Sequence, residues 1–184
     1  MRILIAGASG VLGRSTLRHL AEHDVVGLTR HRRNVDVVEG LGARGVVCDV
    51  HDYEALHAVA RRSEPQVVVN FLTALSEGVD ANNRVRREGA ANVQRAAEAV
   101  GAARLVVESV AFLLRGDAAS AVEKLERSTL EFAGDALVLR FGRFWGPGTF
   151  HETSPDPPAI HISQAGQEAA RLIIEGARGT HTVA

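Results

Sequence analysis

The chain has 184 residues, 46% hydrophobic and 23% charged, and a formal net charge of −1. That length suits one domain around one core, and a near-neutral balance without long blocks of like charge argues against nucleic acid or a membrane surface, leaving a small-molecule partner. Cys48 is the single cysteine, which excludes a disulfide framework and a thiolate metal site, so no metal is expected; the residue reads as a buried thiol in a reducing, cytoplasmic setting. No run approaches the roughly 18 apolar residues of a membrane span.

In chain order, a strand RILIA (2–6) runs into the glycine turn GASGVLG (7–13), which opens a helix over 11–23. A second strand, VVGLT (25–29), ends on Arg30, Arg32 and Arg33. The third, GVVC (45–48), leads to Asp49 and Val50 and a helix over 52–63. The fourth, QVVVNF (66–71), delivers Phe71, Leu72 and Thr73, followed by a helix over 81–101 whose Val85, Gly89, Val93, Ala96, Ala97 and Val100 form one stripe. The fifth, RLVVES (104–109), ends on Ser109; a helix over 118–133 carries Ser120 and Lys124; the sixth is ALVLRF (136–141). A proline-rich loop, GPGTFHETSPDPPA (146–159), a helix over 163–176 with Ser163 as its cap, and a last strand THTVA (180–184) complete the chain. Strands rich in Val, Leu and Ile along their whole length are buried on both faces, and their alternation with helices predicts an α/β fold, a doubly wound parallel sheet in a single domain.

The glycine turn carries the first chemistry. Gly7, Gly10 and Gly13 stand between a strand and a helix, where glycines permit a sharp turn, close approach to a pyrophosphate, and tight packing of helix on strand. With Ser9, Val11 and Leu12 they place free N–H groups and the positive end of a helix dipole where phosphates bind. After the second strand there is no acidic residue until Asp36 to take a ribose 2′-hydroxyl. Arg30, Arg32 and Arg33 suit a 2′-phosphate instead, so NADP is expected over NAD.

The G-x-x-G-x-x-G spacing resembles that of the short-chain dehydrogenase/reductase superfamily, in its extended form, the NAD-dependent sugar epimerases and dehydratases. Further segments match in order. CDVHD (48–52) is similar to the family's D-hydrophobic-x-D, and VVVNFLTA (67–74) to its fourth-strand end. Residues 83–109 resemble N-x-x-G-x-x-N-x-x-x-A-A…V-x-x-S, with Gly89 and Asn92 in register. LRFGRFWGPGT (139–149) resembles L-R-x-x-x-x-Y-G-P-G, AIHISQAGQEAARLI (159–173) resembles I-H-V-x-D-x-A, and GTHTVA (179–184) resembles G-x-Y-N-V. The resemblance implies a Rossmann-type fold over 1–184, with Asp49 and Val50 against adenine, and pairing into a homodimer through the helices at 81–101 and 118–133.

The same resemblance exposes a gap. In the family a Tyr-x-x-x-Lys pair supplies a phenol that carries the proton during hydride transfer and a lysine that binds the nicotinamide ribose, while a serine after the fifth strand orients substrate. SAVEK (120–124) keeps Lys124, the only lysine of the chain, but has Ser120 in place of tyrosine, and Ser109 matches the first serine of the family's run. A serine hydroxyl is shorter and harder to ionise than a phenol. His151, Glu108 and Glu123 are the other proton carriers to weigh. The family's larger substrate region is represented only by the loop 149–159, so a shallow site is expected unless another subunit completes it. Three functions stay open: an NADP-dependent oxidoreductase or epimerase-like enzyme with a substituted proton source, a non-catalytic NADP-binding sensor, and a relative recruited to non-redox chemistry.

Overall fold

The computed structural model describes residues 1–184. Its strands are β1 (Arg2–Ala6), β2 (Asp24–Thr29), β3 (Arg44–Val47), β4 (Val67–Asn70), β5 (Arg104–Val110), β6 (Asp135–Phe141), β7 (Arg143–Trp145), β8 (Ala159–His161) and β9 (Gly179–Val183). Seven of them form one sheet in the order β3-β2-β1-β4-β5-β6-β9, every neighbouring pair parallel. This is the doubly wound Rossmann-type arrangement, with the order reversing between β1 and β4.

Alternation along each strand feeds two cores. Ile3 and Ile5 of β1 belong to a cluster of 23 buried residues, Leu4 and Ala6 to one of 22 on the other face, so the sheet is covered almost equally on both sides. The first cluster includes residues of α1 (Val11–Leu17) and α7 (Ile162–Glu175); the second includes residues of α3 (Tyr53–Ser63), α5 (Ala90–Ala99) and α6 (Gly116–Leu130).

Four departures from the sequence reading have physical causes. The first helix stops at Leu17, and residues 18–23 continue in turns closed by His19 N–H to Thr16 O and His23 N–H to Leu20 O. A five-residue helix, α2 (Val35–Glu39), lies between β2 and β3 and is too short for a periodic pattern to reveal. The helix expected over 81–101 is α4 (Val79–Arg84), a π turn (Val85–Gly89) and α5 in unbroken succession. The cap of α7 is His161, whose Nδ1 accepts the Ser163 N–H at 3.3 Å, and not Ser163 itself.

The proline-rich loop folds back on its own base. β7 and β8 pair in parallel at its two ends, Trp145 bridges His151, and the Thr149 hydroxyl contacts the Gly146 and His151 carbonyl oxygens at 2.9 and 2.8 Å. No helix is long and apolar enough to cross a membrane.

Candidate functional site

The strands deliver their C-terminal ends to one edge, and the crevice of a doubly wound sheet opens where the order reverses. Gly7 follows β1 with φ +86°, and a Cβ there would lie 2.5 Å from the Phe71 carbonyl oxygen, so both the turn and the approach to β4 require glycine. A Cβ on Gly13 would lie 2.3 Å from the Gly7 oxygen, which shows how closely α1 packs on the turn. Gly10 differs from both. Its added Cβ meets the Gly7 oxygen closely, at 3.2 Å, and nothing else within 4 Å, so the space on its other side is open.

Gly10 is also the N-cap of α1 and offers no side-chain oxygen. The first helical bond runs from Arg14 N–H to the Gly10 carbonyl at 2.9 Å, which leaves the N–H groups of Val11, Leu12 and Gly13 without a helical acceptor. Free donors, a positive dipole end and an unfilled cradle at Gly10 suit a pyrophosphate. The Gly-Pro-Gly segment after β7 borders the same place: a Cβ on Gly148 would lie 3.4 Å from Arg14 Nη2 and 3.7 Å from Val11 Cγ1.

Beside the turn, a groove of about 190 Å³ runs across the ends of β1, β2, β3 and β4. It brings together Gly7, Ser9, Arg30, Asp49, Val50 and Leu72, all expected from the sequence, with Thr29, His31, Asn34, Cys48, His51 and Val85, which were not. The Ser9 hydroxyl bonds Thr29 Oγ1 at 3.2 Å, Asp49 accepts the His51 N–H at 2.9 Å, and Asn92 donates to the Val50 carbonyl at 2.9 Å, fixing the β3 end. Phe71 is buried beneath, its N–H bonded to Ala6 O at 2.9 Å. Burial, aided by Asp52 and Asp49, pushes the Cys48 thiol up to about 11, so this sulfur is no nucleophile near neutral pH.

The arginines divide. Arg30 lines the groove and is paired with Glu77, Nη1 lying 3.3 Å from Oε2. The hydrogen bond between them raises the arginine's pKa and holds the carboxylate below its usual range. Arg32 and Arg33 stand exposed on a 3-10 turn (Arg32–Asn34) and do not line the groove; nor does Thr73, also exposed.

The reaction-side residues are not gathered as the resemblance implies. Ser109, expected to orient substrate, is 2% exposed, and its hydroxyl donates its one proton to Glu126 Oε1 at 2.5 Å inside the fold. Glu126 also accepts Arg140 Nε at 2.9 Å; burial pushes its carboxyl up, but the bonds from Arg140 and Ser109 outweigh burial and hold it low. Ser120 is exposed on α6. Lys124 is exposed as well and lines a groove of about 230 Å³ between the π turn with α5 and α6, which shares no lining residue with the groove beside the glycine turn. His151 packs edge-on against Phe150, and Glu123 faces solvent.

One residue at this end was missed. Arg86, in the π turn, stands three positions before Gly89, where the family pattern N-x-x-G has Asn, and it is 9% exposed. The signal was the mismatch inside an otherwise matched motif.

The model of the NAD dependent epimerase/dehydratase family matches residues 3–113. The chain belongs to this family. Among curated proteins it is similar to a 3-diazoavenalumate denitrifying reductase of Streptomyces, 35% identical over 180 residues, covering 81% of this chain and 58% of the reductase. The chain therefore spans little more than half of that relative's length. Among solved structures it resembles the Bordetella bronchiseptica enzyme WbmG in complex with NAD, with TM-score 0.80, 18% identity, and coverage of 100% of this chain and 72% of WbmG. It also resembles the Thermus thermophilus UDP-glucose 4-epimerase in complex with NAD, with TM-score 0.79, 17% identity, and coverage of 100% and 77%. At these identities the two structures speak to the fold.

Proposed function

We propose that the protein is an NADPH-dependent reductase of a small electrophile whose reduction draws no proton from the protein. The observation that carries this is the contrast between a complete dinucleotide cradle, at Gly7, Gly10, Gly13 and the open start of α1, and a reaction side with Ser120 exposed and Ser109 committed to Glu126. The turn and α1 hold the pyrophosphate, Asp49, Val50 and Leu72 wall the adenosine groove, and Arg30 meets a 2′-phosphate. Arg30 is shared with Glu77, and a solvent-exposed pair of that kind is weak enough for a phosphate dianion to draw the guanidinium across.

The family's tyrosine serves carbonyl chemistry, in which an alkoxide must gain or lose a proton. A reductase named for the removal of nitrogen from a diazo compound points to another class. When bound, the nicotinamide supplies a hydride, and at a diazonium-bearing carbon a C–H bond forms while the C–N bond breaks with its electron pair leaving on dinitrogen. No side chain is asked for a proton, so the tyrosine has nothing to do. The protein's part is to hold and orient both partners.

The test incubates the purified chain with NADPH deuterated at C4 and an arenediazonium carboxylate, with enzyme-free and Gly10→Val controls. The expected result is dinitrogen release and one deuterium on the arene for each NADPH oxidised, slower turnover with NADH, and no turnover of aldehydes or ketones. Carbonyl reduction, or an arene without the label, would overturn the reading. Tight NADPH binding without turnover of any substrate would replace it with the sensor.

A further inference from the structure

Arg86 is a guanidinium in the wrong place for a structural residue. It is 9% exposed and makes no hydrogen bond or ion pair within the fold, its nitrogens keeping only a little contact with solvent in the groove it lines. Guanidinium does not deprotonate near neutral pH, so one this far covered and without a protein partner is best compensated by an anion. The opposite charge that acts on it is Glu108 on β5, which forms no ion pair with it and whose carboxyl burial pushes up to about 8, leaving it largely neutral at pH 7.

The groove that Arg86 lines contains other cations, but they are engaged. Arg87 is bound to Asp117, with Nη1 3.0 Å from Oδ2, and Arg95 lies over the Tyr53 ring with its Cζ 3.6 Å from the centroid. Glu98 accepts Gln94 Nε2 at 3.0 Å. Two cations remain without partners, Arg86 and Lys124, the second being the only lysine of the chain. The π turn is what brings Arg86 here, since the wider turn shifts the helix register at this point; such turns recur at functional sites.

We propose that Arg86 and Lys124 form a binding site for the carboxylate of a small organic molecule, in the groove between the π turn with α5 and α6. A guanidinium fork receives a carboxylate in two parallel hydrogen bonds, and Lys124 adds a point charge at the rim. One negative charge compensates the buried cation. Glu98 on the same wall opposes a phosphate dianion twice as strongly as a carboxylate. The site lies apart from the adenosine groove, so it stands or falls independently of the cofactor reading.

The test measures binding of benzoate, cinnamate and inorganic phosphate to the full chain without cofactor, by calorimetry and by thermal shift. Saturable carboxylate binding is expected, weakened at least tenfold by Arg86→Met and about threefold by Lys124→Gln, with NADPH affinity unchanged in both. Arg86→Met should also raise the Tm of the ligand-free chain, whereas removal of a structural arginine would lower it. Lys124 is exposed, so its variant folds and keeps the test decisive if Arg86→Met does not. Absence of saturable binding, binding indifferent to both substitutions, or preference for phosphate would overturn the proposal. So would a dimer that Arg86→Met dissociates, because a second copy would then supply the missing anion.

Discussion

Three glycines in seven residues do different work, and only their surroundings tell them apart. Gly7 and Gly13 are required by the fold, one by its positive φ and by Phe71, the other by the carbonyls of the turn. At Gly10 the backbone is extended, at φ −69° and ψ 169°, a conformation valine adopts readily, and only one atom stands near the new Cβ. Gly10→Val should therefore cost about 1 kcal/mol or less of stability yet weaken NADPH binding at least 100-fold, the side chain standing where the pyrophosphate comes closest. Gly13→Ala should do the reverse in kind, destabilising by roughly 3 kcal/mol because backbone atoms must move. Urea titrations beside NADPH fluorescence separate the two; equal NADPH affinity in Gly10→Val and wild type would refute the cradle. This much was legible in the sequence, because strand–turn–helix context gives a glycine motif its meaning. The separate roles were not, since they depend on which carbonyls lie within 3 Å.

Among the elements, the strands were readable because a parallel strand buried on both faces is apolar along most of its length, as Ile3–Ala6 of β1, Val67–Val69 of β4 and Leu105–Val107 of β5 are. The π turn and α2 were not: a π turn leaves an amphipathic stripe nearly intact on either side, and five residues are too few to show a period. Ser109 illustrates the harder failure. Its motif position suggests substrate, but the hydroxyl joins β5 to Glu126 of α6, which in turn holds Arg140 of β6, so three elements meet at one buried carboxylate. A sequence motif records where a side chain starts and not what it reaches. Ser109→Ala removes a hydrogen bond to a charged acceptor, worth about 1.5–3 kcal/mol. Its Tm should fall by roughly 4–8 °C while NADPH affinity and turnover per folded molecule stay as in wild type. A large rise in KM with an unchanged Tm would restore the substrate role.

For the whole molecule, the balance of shifted carboxyls sets how stability varies with pH. Glu126, Asp117 and Glu168 are held below their usual range, so their contributions are present above the unfolded values near 4 and lost as acid protonates them. Glu108 works in the opposite sense. Burial lifts its carboxyl to about 8, Arg86 pulling weakly the other way, so the folded chain keeps a proton that the unfolded chain releases above about pH 4.5. Its contribution is fully present below that value, declines across the interval, and is gone once pH passes 8. Stability should then be greatest near pH 5–6 and fall toward pH 8.5, while Cys48, lifted to about 11, begins to act only at higher pH. Glu108→Gln mimics the protonated acid at every pH. Its Tm should change less than wild type between pH 5.5 and 8.5 and exceed it at pH 8.5 by roughly 4 °C or more, as a little over 1 kcal/mol does in a domain of this size. Parallel profiles for the two proteins would mean that Glu108 ionises freely. Arg86 would then have its counter-charge inside the fold, and the carboxylate site would lose its reason to exist.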